Sequence, residues 1–258
     1  MKILFIGDIV GRKGREKVKE LLPSIQEQYN IDYTIANAEN SAHGKGITKK
    51  IYHDLLAHGV NFITLGNHAF SKSEIKLDMP TLHNMIRPGN FKDTYVGEWY
   101  RIVNIHGQKV CIINLLGQAF MDVCEGSPYE YMEKVLQETS ADFYICDFHG
   151  ETTGEKIAFA MYFSDRVHMI VGTHTHVQTA DNRIIHNCAF ISDVGMCGPY
   201  ENSVLGRDYQ EVIQRFTNGE KTRFTIAESE ACFSAVVVEL DEESHKAVSI
   251  ERIYILPC

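Results

Sequence analysis

Short apolar runs at 2–6, 32–37, 61–65, 109–115, 142–147 and 167–171 alternate with stretches at 13–28, 48–58, 128–139 and 153–163 whose apolar residues recur at helical spacing. Val18, Leu21, Leu22 and Ile25 show that spacing in the first stretch. A short continuous apolar run reads as a strand covered on both faces, and a 3.6-residue period as a helix with one buried stripe. The alternation predicts β-α units with a largely parallel arrangement over the first two-thirds of the chain. From residue 183 the pattern changes to strands at 188–192, 222–227, 231–240 and 246–255, with one helix near 207–217 and a hairpin loop over 241–244. Together these elements predict an α/β fold of two mixed β-sheets, packed as a sandwich and flanked by helices. No internal repeat and no Pro, Gly or Ser-rich linker divides the 258 residues, so one domain over 1–258 is expected.

Polar clusters follow five of the apolar runs. They are Gly7-Asp8, Glu39-Asn40, Gly66-Asn67-His68, Asp147-Phe148-His149-Gly150 and Gly172-Thr173-His174-Thr175-His176. Open α/β folds gather their ligands at the carboxyl ends of strands. Carboxylate, amide and imidazole groups delivered there suit hard-to-borderline metal ions. Each cluster alone has a plainer reading. Asp8 could cap the helix that follows it, and a His-x-His pair is common on surfaces. A buried Glu39 without a partner would cost several kcal/mol, so it is either exposed or binds something positive. Repetition at five strand ends favours the metal reading.

Twelve histidines are present. Outside the clusters, His43, His53, His58, His83, His106, His168, His186 and His245 read as ordinary surface or core residues, with His43 held open because it lies three residues past Asn40. The Gly44-Lys45-Gly46 segment lacks the length and the Lys-Ser/Thr ending of a phosphate loop. Thr48 reads as a helix cap.

Composition narrows the class. With 44% hydrophobic and 23% charged residues the chain reads as a soluble globular protein rather than a disordered one. Its seven cysteines are odd in number, form no Cys-x-x-Cys pair and fall mostly in apolar runs, which predicts reduced thiols in a cytoplasm. The start of the chain has its apolar residues before its basic ones, the wrong order for a secretory signal, and no run is long enough to span a bilayer. A net charge of −9 opposes tight binding to duplex nucleic acid, which depends on Lys and Arg neutralising phosphates. A metal pair would make one cleft positive, so a small phosphorylated substrate fits better.

Taken in order, Asp8, Asn67-His68, His149 and His174-Thr175-His176 resemble the motif blocks of calcineurin-like metallophosphoesterases. The Gly-Asn-His block stands here as Gly66-Asn67-His68-Ala69, and the Gly-His-x-His block as Gly172-Thr173-His174-Thr175-His176. Two departures are visible. The family's Asp-x-His block reads Asp8-Ile9-Val10, and its Gly-Asp block is replaced by Ala38-Glu39-Asn40. With Asn37–Gly46 and Thr175–Asp181, that swap is similar to the bacterial YmdB-type branch.

The resemblance implies a four-layer sandwich and a dinuclear centre of two metal ions, iron first, with manganese or zinc as alternatives. Glu39 would bridge the ions, with Asp8, Asn40 and His176 completing one and Asn67, His149 and His174 the other. It further implies hydrolysis of 2′,3′-cyclic nucleotides to 3′-nucleotides by a metal-bridging hydroxide, with His68 as general acid. The residues by themselves reach only a phosphodiester or phosphomonoester. Two other functions stay open: a phosphomonoesterase or nuclease on the same metals, and a regulatory protein that binds a nucleotide or RNA. Tyr200 and Phe120 are candidates either for stacking a base or for core packing. Homo-oligomerisation is left open.

Overall fold

The computed structural model describes residues 1–92, 96–219 and 224–257. In chain order the strands are β1 Lys2–Ile6, β2 Asp8–Ile9, β3 Tyr33–Asn37, β4 Phe62–Thr64, β5 Tyr100–Ile105, β6 Gln108–Leu116, β7 Phe143–His149, β8 Met169–Thr173, β9 Arg183–Ile185, β10 Cys188–Ile191, β11 Met196–Pro199, β12 Ser203–Val204, β13 Arg207–Asp208, β14 Ala231–Asp241 and β15 Lys246–Ile255. The helices are α1 Gly11–Tyr29, α2 Lys49–Ala57, α3 Ile75–Asp78, α4 Pro128–Glu138, α5 Thr153–Phe163 and α6 Tyr209–Asn218. One sheet runs β2-β11-β14-β1-β3-β4 with β15 added on β14, and the other runs β5-β6-β7-β8-β10-β9.

Side-chain alternation explains the layers. In β1, Ile3 and Phe5 face the second sheet and meet Val110, Ile112, Phe143 and Ile145, while Leu4 and Ile6 face outward onto Val18, Leu22 and Ile25 of α1. In β6, Cys111, Ile113 and Leu115 turn outward to Met132 and Val135 of α4 and Phe159 of α5. Both faces of each sheet are thus covered, which is why the central strands read as continuous apolar runs. Full burial of a side chain such as Phe5 contributes roughly 1.5–3 kcal/mol. The result is a helix, sheet, sheet, helix sandwich with mixed sheets, as expected.

β1, β3 and β4 pair in parallel, and so do β6, β7, β8 and β10. Their carboxyl ends gather the polar clusters along one rim. Thr48 caps α2 by accepting from the Ile51 amide at 3.3 Å. The hairpin turn is closed by Asp241, whose carboxylate accepts from the Glu243 amide at 3.0 Å and the Ser244 hydroxyl at 2.7 Å.

Several expectations need correction. The strand expected over 222–227 reduces, within the described residues, to an isolated bridge between Ile226 and Arg207. Residues 222 and 223 lie outside them. Thr225 is held instead by Glu211 of α6, which accepts from its amide at 2.7 Å and its hydroxyl at 3.0 Å. Strand β5 falls outside the expected set, because it is a half-exposed edge strand with no long apolar run. Its signal is the turn at His106-Gly107, where both residues have positive φ, as a tight hairpin requires. β7 runs further than 142–147 and carries His149 as its last residue. The cysteines Cys111, Cys146, Cys188, Cys197 and Cys232 are free and buried and Cys124 is free and half-buried; Cys258 lies outside the described residues.

Candidate metal centre

His149, at the end of β7, is fully buried. Its Nδ1 lies 2.8 Å from Thr173 Oγ1, whose hydroxyl donates to Asp147 Oδ1 at 2.7 Å. Asp147 Oδ2 accepts from Thr64 Oγ1 at 2.6 Å and Asn37 Nδ2 at 3.0 Å. Such an outer network fixes the ring with Nε2 facing inward. Around that nitrogen stand Glu39 Oε1 at 3.2 Å, Asn67 Oδ1 at 2.8 Å and His174 Nδ1 at 3.1 Å. One ligand atom each from Glu39, His149 and His174 falls within 4.8 Å of the others.

A second group adjoins the first. Asp8 Oδ2 lies 3.1 Å from His176 Nε2 and accepts the His174 amide at 3.3 Å. Asn40 Nδ2 is 3.2 Å from His176 Nε2 and also 3.2 Å from Glu39 Oε1. Glu39 therefore stands between the two groups. Asp8 Oδ1 is buried with no hydrogen-bond partner among the described residues. A buried carboxylate oxygen in that state is costly, and a cation answers it directly. Asp8 itself belongs to β2, and the N-cap position of α1 is Val10, so Asp8 does not cap the helix.

The histidine loop is strained and braced. His174 has φ 102° and His176 φ 64°, a conformation that persists only when the surroundings enforce it. His174 Nε2 meets Glu151 Oε2 at 2.8 Å, and His176 Nδ1 donates to the Leu205 carbonyl at 3.0 Å. Between them the Thr175 amide donates to Asp193 Oδ2 at 3.0 Å. Asp193 is paired at 2.9 Å with fully buried Lys156, whose ammonium also donates to Thr173 O at 2.9 Å. Replacing Lys156 by Met leaves Asp193 as an uncompensated buried charge. Urea denaturation of Lys156→Met is expected to show a loss of about 3–5 kcal/mol; an unchanged midpoint would mean the pair is dispensable.

Burial opposes charge on Glu39, but the His149 imidazole and the His68 amide, which donates to Oε2 at 2.7 Å, outweigh it and hold the carboxyl well below its usual range. Burial likewise opposes a proton on His149, and Glu39 overrides it, raising the ring's pKa. Such a tightly held proton sits where metal binding characteristically displaces one. Gly66 completes the cradle, since a Cβ there would run into the His149 ring and the Glu39 carboxylate. Carboxylates, amides and imidazoles without a thiolate fit catalytic divalent ions rather than structural zinc.

A cleft of about 240 Å³ opens over this cluster and is lined by Glu39, Asn40, His68, His174, His176 and Arg207, among others. His68 stands beside Glu39 with Nδ1 3.4 Å from Ser71 Oγ, and burial lowers its pKa. All eight residues singled out from the sequence thus come together: Asp8, Glu39, Asn40, Asn67, His68, His149, His174 and His176. His43 is exposed and lines neighbouring cavities instead. Phe120 is 85% and Tyr200 41% exposed, so neither is a core residue, and neither is among the described residues lining the cleft. Sequence reading missed Lys156, Asp193, Glu151 and Arg207, none of which lies in a recognisable motif.

A family model described as YmdB-like protein matches residues 4–253. The chain belongs to the YmdB-like protein family. A relative from Bacillus subtilis (strain 168), named 2′,3′-cyclic-nucleotide 2′-phosphodiesterase, is 43% identical over 258 residues, covering 99% of this YmdB-like chain and 97% of that one. A crystal structure of a novel phosphatase from Mycoplasma pneumoniae matches with a TM-score of 0.93 at 36% identity, over 99% and 93% of the two chains. A 5′-nucleotidase precursor from Thermus thermophilus shares the fold alone, with a TM-score of 0.54 at 12% identity, over 99% of this chain and 54% of that one. The fold of this YmdB-like chain is that of the metallophosphoesterases, which implies divalent metal ions. Among its described residues no helix is long and apolar enough to cross a membrane.

Proposed function

We propose that the chain is a phosphodiesterase that opens 2′,3′-cyclic nucleotides to 3′-nucleotides on a centre of two divalent metal ions, iron first. The observation that carries this reading is the convergence of two adjoining donor groups around Glu39, with Asp8 Oδ1 buried and unpartnered among the described residues. The Bacillus relative, named for this activity over nearly the whole length, supports the substrate class. Asp8, Asn40 and His176 would hold one ion, Asn67, His149 and His174 the other, and Glu39 both. When bound, such a pair supplies Lewis acidity, an activated water and a clamp on the phosphoryl oxygens.

The chain's own residues supply the rest. His68 lines the cleft beside Glu39 and would give a proton to the departing 2′ oxygen. The P–O2′ bond breaks as the water oxygen joins phosphorus, and the 3′ ester remains. Arg207 on the same wall presents a planar set of N–H donors suited to phosphoryl oxygens. The reading also takes residues 1–258 as one domain, a small nucleotide as the ligand and the cytoplasm as the site of action, the last on its free buried thiols.

Elemental analysis, combined with assays on 2′,3′-cyclic AMP and on nitrophenyl mono- and diesters, tests this. About two ions per chain are expected, with 3′-AMP as product, activity lost to a chelator and restored by manganese or iron. Turnover of the monoester alone would make it a phosphomonoesterase, the reading that the Mycoplasma phosphatase favours. A metal-free protein, inactive after iron or manganese is supplied, would leave a binding protein.

A further inference from the structure

Two further cavities continue from the metal cleft along the start of α1. The first shares Ile226 with the cleft and is lined by Arg12, Lys13, Arg15 and His43. The second shares Arg15 and His43 with the first and adds Lys19, Lys50 and Lys72. At the junction a Cβ on Gly44 would strike Ile226, so one isoleucine against a glycine separates cleft from strip. The two linings hold Arg12, Lys13, Arg15, Lys19, Lys50 and Lys72 against Asp54, Glu74 and Glu228. The whole chain has the opposite balance, 25 Lys and Arg against 34 Asp and Glu. Lys19 is paired with Asp54 at 2.7 Å and Arg12 reaches Glu228 at 3.6 Å. Lys13, Lys50 and Lys72 make no ion pair among the described residues.

A cyclic mononucleotide has one phosphate, and the metal centre takes it. Such a substrate has no second phosphate to offer a cationic strip beyond the cleft. A polynucleotide ending in a 2′,3′-cyclic phosphate carries its remaining phosphodiesters on the 5′ side, leading out of the cleft. We propose that the substrate class includes the 2′,3′-cyclic phosphate end of single-stranded RNA, with upstream phosphates seated on Lys13, Lys50 and Lys72. This inference rests on the cyclic phosphodiesterase reading above. The three lysines come from α1, α2 and the segment before α3, so the strip is built by separate elements rather than by one helix face. The acidic surface elsewhere disfavours a long duplex. Continuity with the cleft favours RNA over an acidic peptide, because only the former has a reactive end for the metals.

The test compares kcat/KM on 2′,3′-cyclic AMP with that on a short RNA ending in a 2′,3′-cyclic phosphate, for wild type and for Lys13→Glu/Lys50→Glu/Lys72→Glu. Wild type is expected to favour the RNA by about tenfold or more, and the triple variant to lose that preference while keeping its rate on cyclic AMP. Fluorescence anisotropy with a labelled RNA ending in a 3′-phosphate should give a log Kd against log salt slope of about 2, from ~0.7 per phosphate over three contacts. The slope should collapse in the variant. Equal efficiency on both substrates in wild type overturns the proposal, as does displacement of the labelled RNA by polyglutamate at matched charge, which would assign the strip to an acidic protein. If the triple variant loses its rate on cyclic AMP as well, the exposed single change Lys50→Glu decides, and an unchanged RNA preference there overturns the proposal. Failure on both substrates in wild type sinks the phosphodiesterase reading itself, whereas turnover of cyclic AMP without RNA preference removes only the strip.

Discussion

Glu39→Gln is expected to release the metals and reduce hydrolysis of 2′,3′-cyclic AMP to background. The Glu39 carboxylate touches both donor sets, through His149 on one side and Asn40 on the other. Its charge would offset the mutual repulsion of two cations held close together. Glutamine keeps the shape but not the charge. Its amide nitrogen must face either the His68 N–H or the His149 side, and a buried donor opposite the His68 donor costs about 1–3 kcal/mol. Loss of an outer-shell partner typically costs ~10–100-fold in metal affinity, and losing this inner carboxylate should exceed that. Elemental analysis and the shift in Tm on adding manganese read the outcome directly. A variant that keeps its full metal content would remove Glu39 from the bridging position.

His68→Ala is expected to keep the metals and lose turnover by ~10²–10⁴-fold, the range a positioned proton donor supplies. The two halves of that expectation have separate causes. Among the described residues, His68 bonds to the donor cluster through its backbone amide to Glu39, which alanine retains. The imidazole projects onto the cleft wall, bonded only weakly to Ser71, and is free to meet a leaving oxygen. Steady-state kinetics beside metal analysis separates the roles. Retention of both metal and activity would reduce His68 to a packing residue of its loop, and loss of both would make it a ligand.

Much of the fold was legible because its central strands are buried on both faces. β1, β3, β6, β7 and β8 announce themselves as unbroken apolar runs between amphipathic helices, and a linear pattern records that directly. The edges were not legible. β5 is half-exposed, β9, β11 and β12 are only a few residues long, and β2 forms only because the distant β11 passes beside it. Such elements take their conformation from tertiary neighbours rather than from local preference.

The same division runs through the centre. The candidate donors were legible along the chain, because carboxylate, amide and imidazole types recur just where apolar runs stop, and strand ends are where side chains escape a covered sheet. Which of these groups face one another follows from the fold alone. His149 meets His174 because β7 and β8 are neighbours in register, with His149 opposite Thr173. Asp8 reaches His176 across 168 positions of chain because β2 lies beside β11 at the same rim. The Lys156–Asp193 brace and the cationic strip were invisible for the same reason. Periodicity is a local property that one dimension records, whereas adjacency is set by sheet order and register, which exist only after the chain has closed on itself.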